Sequence, residues 1–184
     1  MRKDLGAKPY QFPQPVLIIG SYDADGNANA MNAAWGGIAD DDEIMICLSS
    51  HKTTDNIMLK KAFTVSMGTV EQVTACDYVG IVSAKTEPDK MKKSGLTPQK
   101  SKTVDAPLFS ELPLALECEL EKVIDGEKYI GKIKNVSVDE SILASDGNID
   151  MAKFHPLAFD IARHGYYTFG ERIADAFKVG AKLK

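Results

Sequence analysis

The apolar positions fall into short runs broken by turn residues, and most of these runs read as strands. Residues 16–22 (VLIIGSY) are rich in large aliphatic side chains that suit a pleated backbone. Asp23-Ala24-Asp25-Gly26 follows as a hairpin turn, with Gly able to take a positive φ. Residues 27–35 then return antiparallel to the first strand. Residues 43–48 (EIMICL) and 62–67 (AFTVSM) are two further apolar strands. Residues 114–123 carry a clear period of two: Leu114, Leu116, Cys118 and Leu120 share one face, and Ala115, Glu117, Glu119 and Glu121 the other. Asp125-Gly126 turns this strand into another, 129–138, giving a hairpin with one expected wet face. A short strand at 157–161 and the aromatic run Tyr166, Tyr167 and Phe169 close the pattern.

Helical signals are fewer. Residues 53–61 read as a helix capped by Thr53 or Thr54. Residues 70–79 can form a second, with 80–84 as a loop. Pro88 opens a lysine-rich helix that Gly95 ends. Residues 97–107 are polar, irregular and expected on the surface. The count is six or seven strands and two or three short helices. The strands come as hairpins, without alternating crossover helices. That predicts a mainly β chain, a closed or split β-barrel in one domain spanning 1–184.

Composition narrows the function classes. The 184 residues are 44% hydrophobic and 26% charged, enough for a real core. A net charge of -4 with no dense basic run predicts no nucleic-acid footprint. No apolar run reaches membrane-spanning length, and the first residues lack a signal-peptide stretch, so a cytoplasmic protein with no membrane partner is expected. Cys47, Cys76 and Cys118 match no zinc or redox spacing, and the histidines show no ligand spacing, so no metal is expected. Cys47 and Cys118 read as small buried residues. No GxGxxG follows a strand, so no dinucleotide-binding domain is signalled.

Candidate chemistry concentrates between Asn27 and Lys60. Asn29, Ala30, Asn32, Ala33 and Ala34 combine small and amide side chains with reachable backbone groups, and Trp35, the only tryptophan, follows them. A planar heteroaromatic ring could be read there by main chain. One strand later, Ser49, Ser50, His51, Lys52, Thr53 and Thr54 crowd hydroxyls and a cation at a helix start, where an anion such as phosphate is favoured. The plainer alternatives are ordinary capping and close strand packing. Lys90 on residue grounds reads as a solvated helix lysine, and Tyr166 and Tyr167 as packing residues. No paired carboxylate marks a general acid or base, so no catalytic side chain is assigned.

The segments PVLIIGSYDADGNANAMNAAW, LSSHKTTDNI, AFTVSM, DYVGIVSAKTEPDK, APLFSELPLALECEL and HGYYTFG occur in an order that covers nearly the whole chain. In this the chain resembles the flavin reductase-like proteins with an FMN-binding split barrel, of the flavoredoxin type. The resemblance implies a homodimeric, six-stranded antiparallel Greek-key barrel holding FMN without a covalent bond. It implies that Asn32, Ala33, Ala34 and Trp35 meet the isoalloxazine ring and that Ser49, Ser50, Lys52, Thr53 and Thr54 meet ribityl and phosphate. Lys90 and Phe169 are implied near the cofactor. Many relatives carry Arg where this chain has His51, and Ser-Gly where it has Ser83-Ala84. Three functions stay open: an NAD(P)H-dependent flavin reductase, an electron carrier served by a redox partner protein, and a cofactor-free barrel that acts as a binding module.

Overall fold

The structure is a computed structural model that describes residues 1–183. Its strands are β1 (Gln14–Pro15), β2 (Leu17–Tyr22), β3 (Ala28–Ala33), β4 (Gly36–Asp40), β5 (Glu43–Cys47), β6 (Ala62–Met67), β7 (Pro98–Lys100), β8 (Pro107–Phe109), β9 (Leu114–Ile124), β10 (Lys128–Val138), β11 (Leu157–Asp160) and β12 (Gly165–Thr168). Its helices are α1 (Lys52–Lys60), α2 (Val73–Ile81), α3 (Lys90–Ser94) and α4 (Met151–Phe154).

Seven antiparallel strands form the main sheet, in the order β3-β2-β6-β9-β10-β5-β4. Its outer strands, β3 and β4, are separated in sequence only by Ala34 and Trp35. In a flat sheet the first and last of seven strands would stand about 29 Å apart. Three Cα steps reach at most about 11 Å. The sheet must therefore curl until its two edges meet, which makes it a barrel closed by covalent chain and split where β3 and β4 exchange no ladder bonds. The architecture is the expected mainly β split barrel. The implied six strands become seven because the 27–35 return continues past Trp35 into β4. Gly36 and Gly37 thus open a strand, paired Gly36 to Ile46 and Gly37 to Met45. A Cβ on Gly36 would stand 2.8 Å from Leu17 Cδ1 and 2.9 Å from the Met45 carbonyl, so glycine is what lets this edge close.

Alternation divides the core. Leu17, Ile19, Ile44, Ile46, Phe63, Val65, Leu116 and Cys118 fill the barrel. Val16, Ile18 and Ala30 face outward and are covered by Ala75, Cys76 and Val79 of α2 with Phe109 and Leu157. Both faces of β2 are buried, hence its unbroken apolar run. The segment expected to be a helix at 70–79 begins as a 3-10 turn, Val70–Gln72, and continues as α2 through Ile81, two residues into the expected loop.

The expected wet face of the 114–123 strand is wet only in part. Ala115 and Glu117 are buried, while Glu119 and Glu121 are exposed. The cover is the 97–107 segment, which is less irregular than expected. It pairs β7 with β8 and buries Ser101, Val104 and Ala106. Glu117 is 2% exposed and has a cage of neutral donors. It accepts from Asn135 Nδ2 at 2.6 Å and from the hydroxyls of Ser101 and Ser137. Burial pushes its carboxyl up, but the donors from Ser101, Ser137, Asn135 and Thr103 outweigh burial and hold it below its ordinary 4.5.

A lowered carboxyl contributes stability above its unfolded value and loses it as pH falls through the folded one. Replacing Glu117 with Gln should therefore cost about 1.5–3 kcal/mol near neutral pH, the value of bonds to a charged group. Urea unfolding of both proteins should show that gap narrowing as pH falls below about 4.5. A gap that is constant with pH would mean that the charge contributes nothing.

Candidate functional site

The phosphate-like loop takes a definite shape. His51, extended at φ -139°, is the N-cap of α1, so the helix starts one residue earlier than expected and neither Thr53 nor Thr54 is the cap. Thr54 instead reaches back from the first turn. Its Oγ1 accepts the His51 N–H at 2.9 Å and donates to the His51 carbonyl at 2.8 Å. That hydroxyl is spent inside the cap. Thr53, 1% exposed, accepts from Asn29 Nδ2 at 2.8 Å and keeps its own proton to donate. Ser49 Oγ lies 2.9 Å from His51 Nε2, and Ser49 and Ser50 are exposed. The first N–H groups of α1 lack intrahelical acceptors, as at any helix start.

Two hollows flank this helix start along β3. The larger, about 510 Å³, is lined by Asp23, Asn29, Lys52, Ala84, Lys90 and Met91 among others. Lys52 Nζ stands 3.9 Å from Asp23 Oδ2. Burial would push the Asp23 carboxyl up, but hydrogen bonds from Asn27 and Asp25 and the Lys52 charge hold it below its ordinary value. Lys90 is the correction to the residue-level reading. It is no solvated helix lysine: it is 3% exposed, and burial, with no ion pair among the described residues to offset it, pushes its ammonium down to about 8. Beside it Asn29, 4% exposed, has its Oδ1 buried without any hydrogen-bond partner. An uncompensated buried cation and an orphaned buried acceptor, both lining one hollow, are costly to a folded chain and useful to a polar ligand.

The smaller hollow, about 250 Å³, is lined by Met31, Asn32, Ala33, Ala34, Trp35, Cys47, Leu48, Ser49 and His51. Trp35 is half exposed. Cys47, read as buried, is only half-buried and lines this wall. Tyr166 packs as expected and is also polar in role. Its hydroxyl donates to Asp77 Oδ1 at 2.8 Å and lies 3.4 Å from Asn32 Nδ2, which donates to the Cys76 carbonyl at 3.0 Å. Burial and the Asp77 carboxylate push Tyr166 up to about 12. Of the eleven candidate residues, Asn32, Ala33, Ala34, Trp35 and Ser49 thus share one hollow, and Lys52 and Lys90 line the other. Thr53 and Thr54 hold the wall between them, and Ser50 lies on the exposed loop. Phe169 follows β12, is half exposed and lines neither hollow.

A family model described as "Flavin reductase like domain" matches residues 10–161. The chain belongs to that family. Among solved structures it is similar to the flavoredoxin of Desulfovibrio vulgaris (Miyazaki F), 39% identical, with 98% of this chain and 100% of that one covered at a TM-score of 0.94. It is similar to the flavoredoxin from Methanosarcina acetivorans at 25% identity, with both chains covered fully and a TM-score of 0.87. It shares the fold of the FMN-binding domain of a flavin reductases-like enzyme from Shewanella baltica, 21% identical, covering 88% and 89% at a TM-score of 0.79. A curated relative from Aquifex aeolicus, 26% identical over 170 residues, is described only as an uncharacterized protein.

Sequence reasoning gave three participants of the site no role of their own, although Asn29 stood among its small-residue positions. Asn29 was within reach, because an amide in a small-residue strand beside a threonine-rich helix start has a partner to find. Asp77 and Tyr166 were not, because 89 residues separate them and only the packing of α2 against β12 joins them.

Lys90 gives a prediction with a definite sign. The folded value lies below the ordinary 10.5, so between about 8 and 10.5 the unfolded chain holds a proton that the folded chain has released. Stability should rise with pH across that window. Lys90→Met should flatten the rise and stabilise the ligand-free protein below pH 8. Denaturant unfolding at pH 7 and pH 10 measures both; an unchanged slope in the variant would show that Lys90 is solvated.

Proposed function

We propose that this flavin reductase-like chain is an FMN-binding oxidoreductase that receives electrons from NAD(P)H or from a partner redox protein. The observation that carries the reading is the pairing of two hollows across one helix start. One is walled by small residues, an amide and Trp35. The other holds Lys52, the unpaired Lys90 ammonium and the orphaned Asn29 carbonyl. Those residues fit FMN, which is half planar ring and half polar chain ending in a dianion. Neither a neutral ring nor a bare phosphate would use both hollows.

In this reading Asn32, Ala33, Ala34 and Trp35 receive the ring. Lys52, the hydroxyls of Ser49, Ser50 and Thr53, and the first N–H groups of α1 receive the phosphate end. Lys90, 3% exposed and lining the same hollow, supplies a cation near the cofactor. Bound FMN would supply the one- and two-electron chemistry that no side chain here offers. The chain's own task is to orient the ring, keep one face open and set the surrounding polarity. A dinucleotide donor would then dock in an open groove.

The 39% identity to a flavoredoxin over nearly the whole chain favours a second reading, an electron carrier with little NAD(P)H turnover. Anaerobic addition of NADH or NADPH to the purified protein separates the two. Rapid bleaching of bound flavin supports the reductase. An unbleached spectrum supports the carrier. We place either activity in a homodimer in the cytoplasm. The apolar side chains of Trp35 and Ile38 at the β4 edge, 52% and 68% exposed, are surface that a second copy would cover.

The purified protein should be yellow and release FMN, not FAD, on denaturation. Lys52→Ala or Thr53→Ala should weaken FMN binding by about 1.5–3 kcal/mol and leave riboflavin binding nearly unchanged, since only FMN carries the phosphate. Titration of the apoprotein with both flavins tests this, and equal losses would remove the loop from the phosphate site.

A further inference from the structure

The hydrogen bonds around Asn32 run in one direction. Asp77 presents a carboxylate, which only accepts, so Tyr166 must spend its single proton on it. The Tyr166 oxygen is left as an acceptor towards Asn32. The second neighbour of the amide is the Cys76 carbonyl, again only an acceptor. Both partners demand donors, so the Asn32 NH2 faces them and its Oδ1 remains for the hollow that Asn32 lines. The packing holds this in place. Helix α2 brings Cys76, Asp77 and Gly80 to the same amide. A Cβ at Gly80 would come within 2.9 Å of Asn32 Cβ, so the close approach needs glycine. Three elements distant in sequence, β3, α2 and β12, thus converge on one side chain.

We infer that Tyr166 and Asp77 are positioning residues that lock the Asn32 amide with its oxygen toward the ring hollow, so that at this position the hollow meets an acceptor and not a donor. The ligand edge it selects is one that bears N–H groups. The identity of that ligand as FMN rests on the reading above; the polarity of the wall does not. An isoalloxazine ring gains N–H donors on reduction. Where one of those added donors meets the Asn32 oxygen, the site holds the reduced ring more tightly than the oxidised one and raises the potential of the bound cofactor.

The test is a double-mutant cycle on the full-length protein with FMN as the probe. Its readout is the ratio of oxidised to reduced dissociation constants, obtained from the midpoint potentials of free and bound FMN and the oxidised affinity. Asn32→Ala should reduce the preference for reduced FMN by about three- to tenfold, the value of one hydrogen bond. Tyr166→Phe and Asp77→Asn should each reduce it in the same direction and by less. In the Asn32→Ala background neither should change it further, because they act through Asn32. Additive losses, or an unchanged ratio in Tyr166→Phe, would overturn the inference and leave Tyr166 as a packing residue. Should the wild type bind no flavin, the functional reading fails, and the polarity is still decided by NMR. The Asn32 side-chain NH2 protons should exchange slowly in wild type and faster in Tyr166→Phe. Equal exchange in the two would sink the lock.

Discussion

The two-residue link between β3 and β4 is the constraint from which the rest of the molecule follows. Ala34 and Trp35 tie together the opposite edges of a seven-stranded sheet, so the sheet can exist only as a curled barrel. The same link sets Trp35 at the seam, half exposed, beside the small residues of β3. Because β5 returns directly from β4 and empties into α1, the start of that helix is delivered next to β3. Asn29 then bonds Thr53 across the junction. Barrel closure and site assembly are therefore one event: weakening the close packing at Gly36 would disturb both.

Two buried charges show how differently this chain treats structure and site. Glu117 lies under the 97–107 cover with its carboxylate oxygens met by Ser101, Asn135 and Ser137. Its charge is satisfied without a cation, and it pins the cover to the barrel. Lys90 is as deeply buried but has no counter-charge, and burial alone sets its ammonium low. A chain selected only for stability would not keep such a lysine, since unpaired buried charge is costly. The orphaned Asn29 acceptor in the same hollow fits the same account. Cost of this kind is what a preorganised binding site looks like before its ligand arrives.

The other hollow has a different economy. Among the described residues, none of its lining side chains holds a fully buried polar atom without a partner. Rigidity there comes from the α2 and β12 contacts around Asn32, so orientation is set before any ligand binds. The pairing of one frustrated and one preoriented hollow suits a ligand with a charged end and a planar end.

Much of this was legible in the residues. Alternation placed the strands of the barrel, and hairpin turns of Asp and Gly made them antiparallel. The crowding of hydroxyls and Lys52 before an apolar helix marked the helix start as a place for an anion. These features are local: they depend on side-chain period, turn chemistry and capping within a few residues. What local pattern could not decide was which polar residues would be covered. Glu117 alternates like Glu119 and Glu121, yet only Glu117 lies under the 97–107 segment. Lys90 sits in a lysine-rich helix like Lys92 and Lys93, yet of the three only Lys90 is buried, lining a hollow with Asn29 of β3. The Asp77–Tyr166–Asn32 chain joins residues up to 134 positions apart. Burial and long-range hydrogen bonding depend on which distant segment comes to lie on top, and that was settled only when the barrel closed.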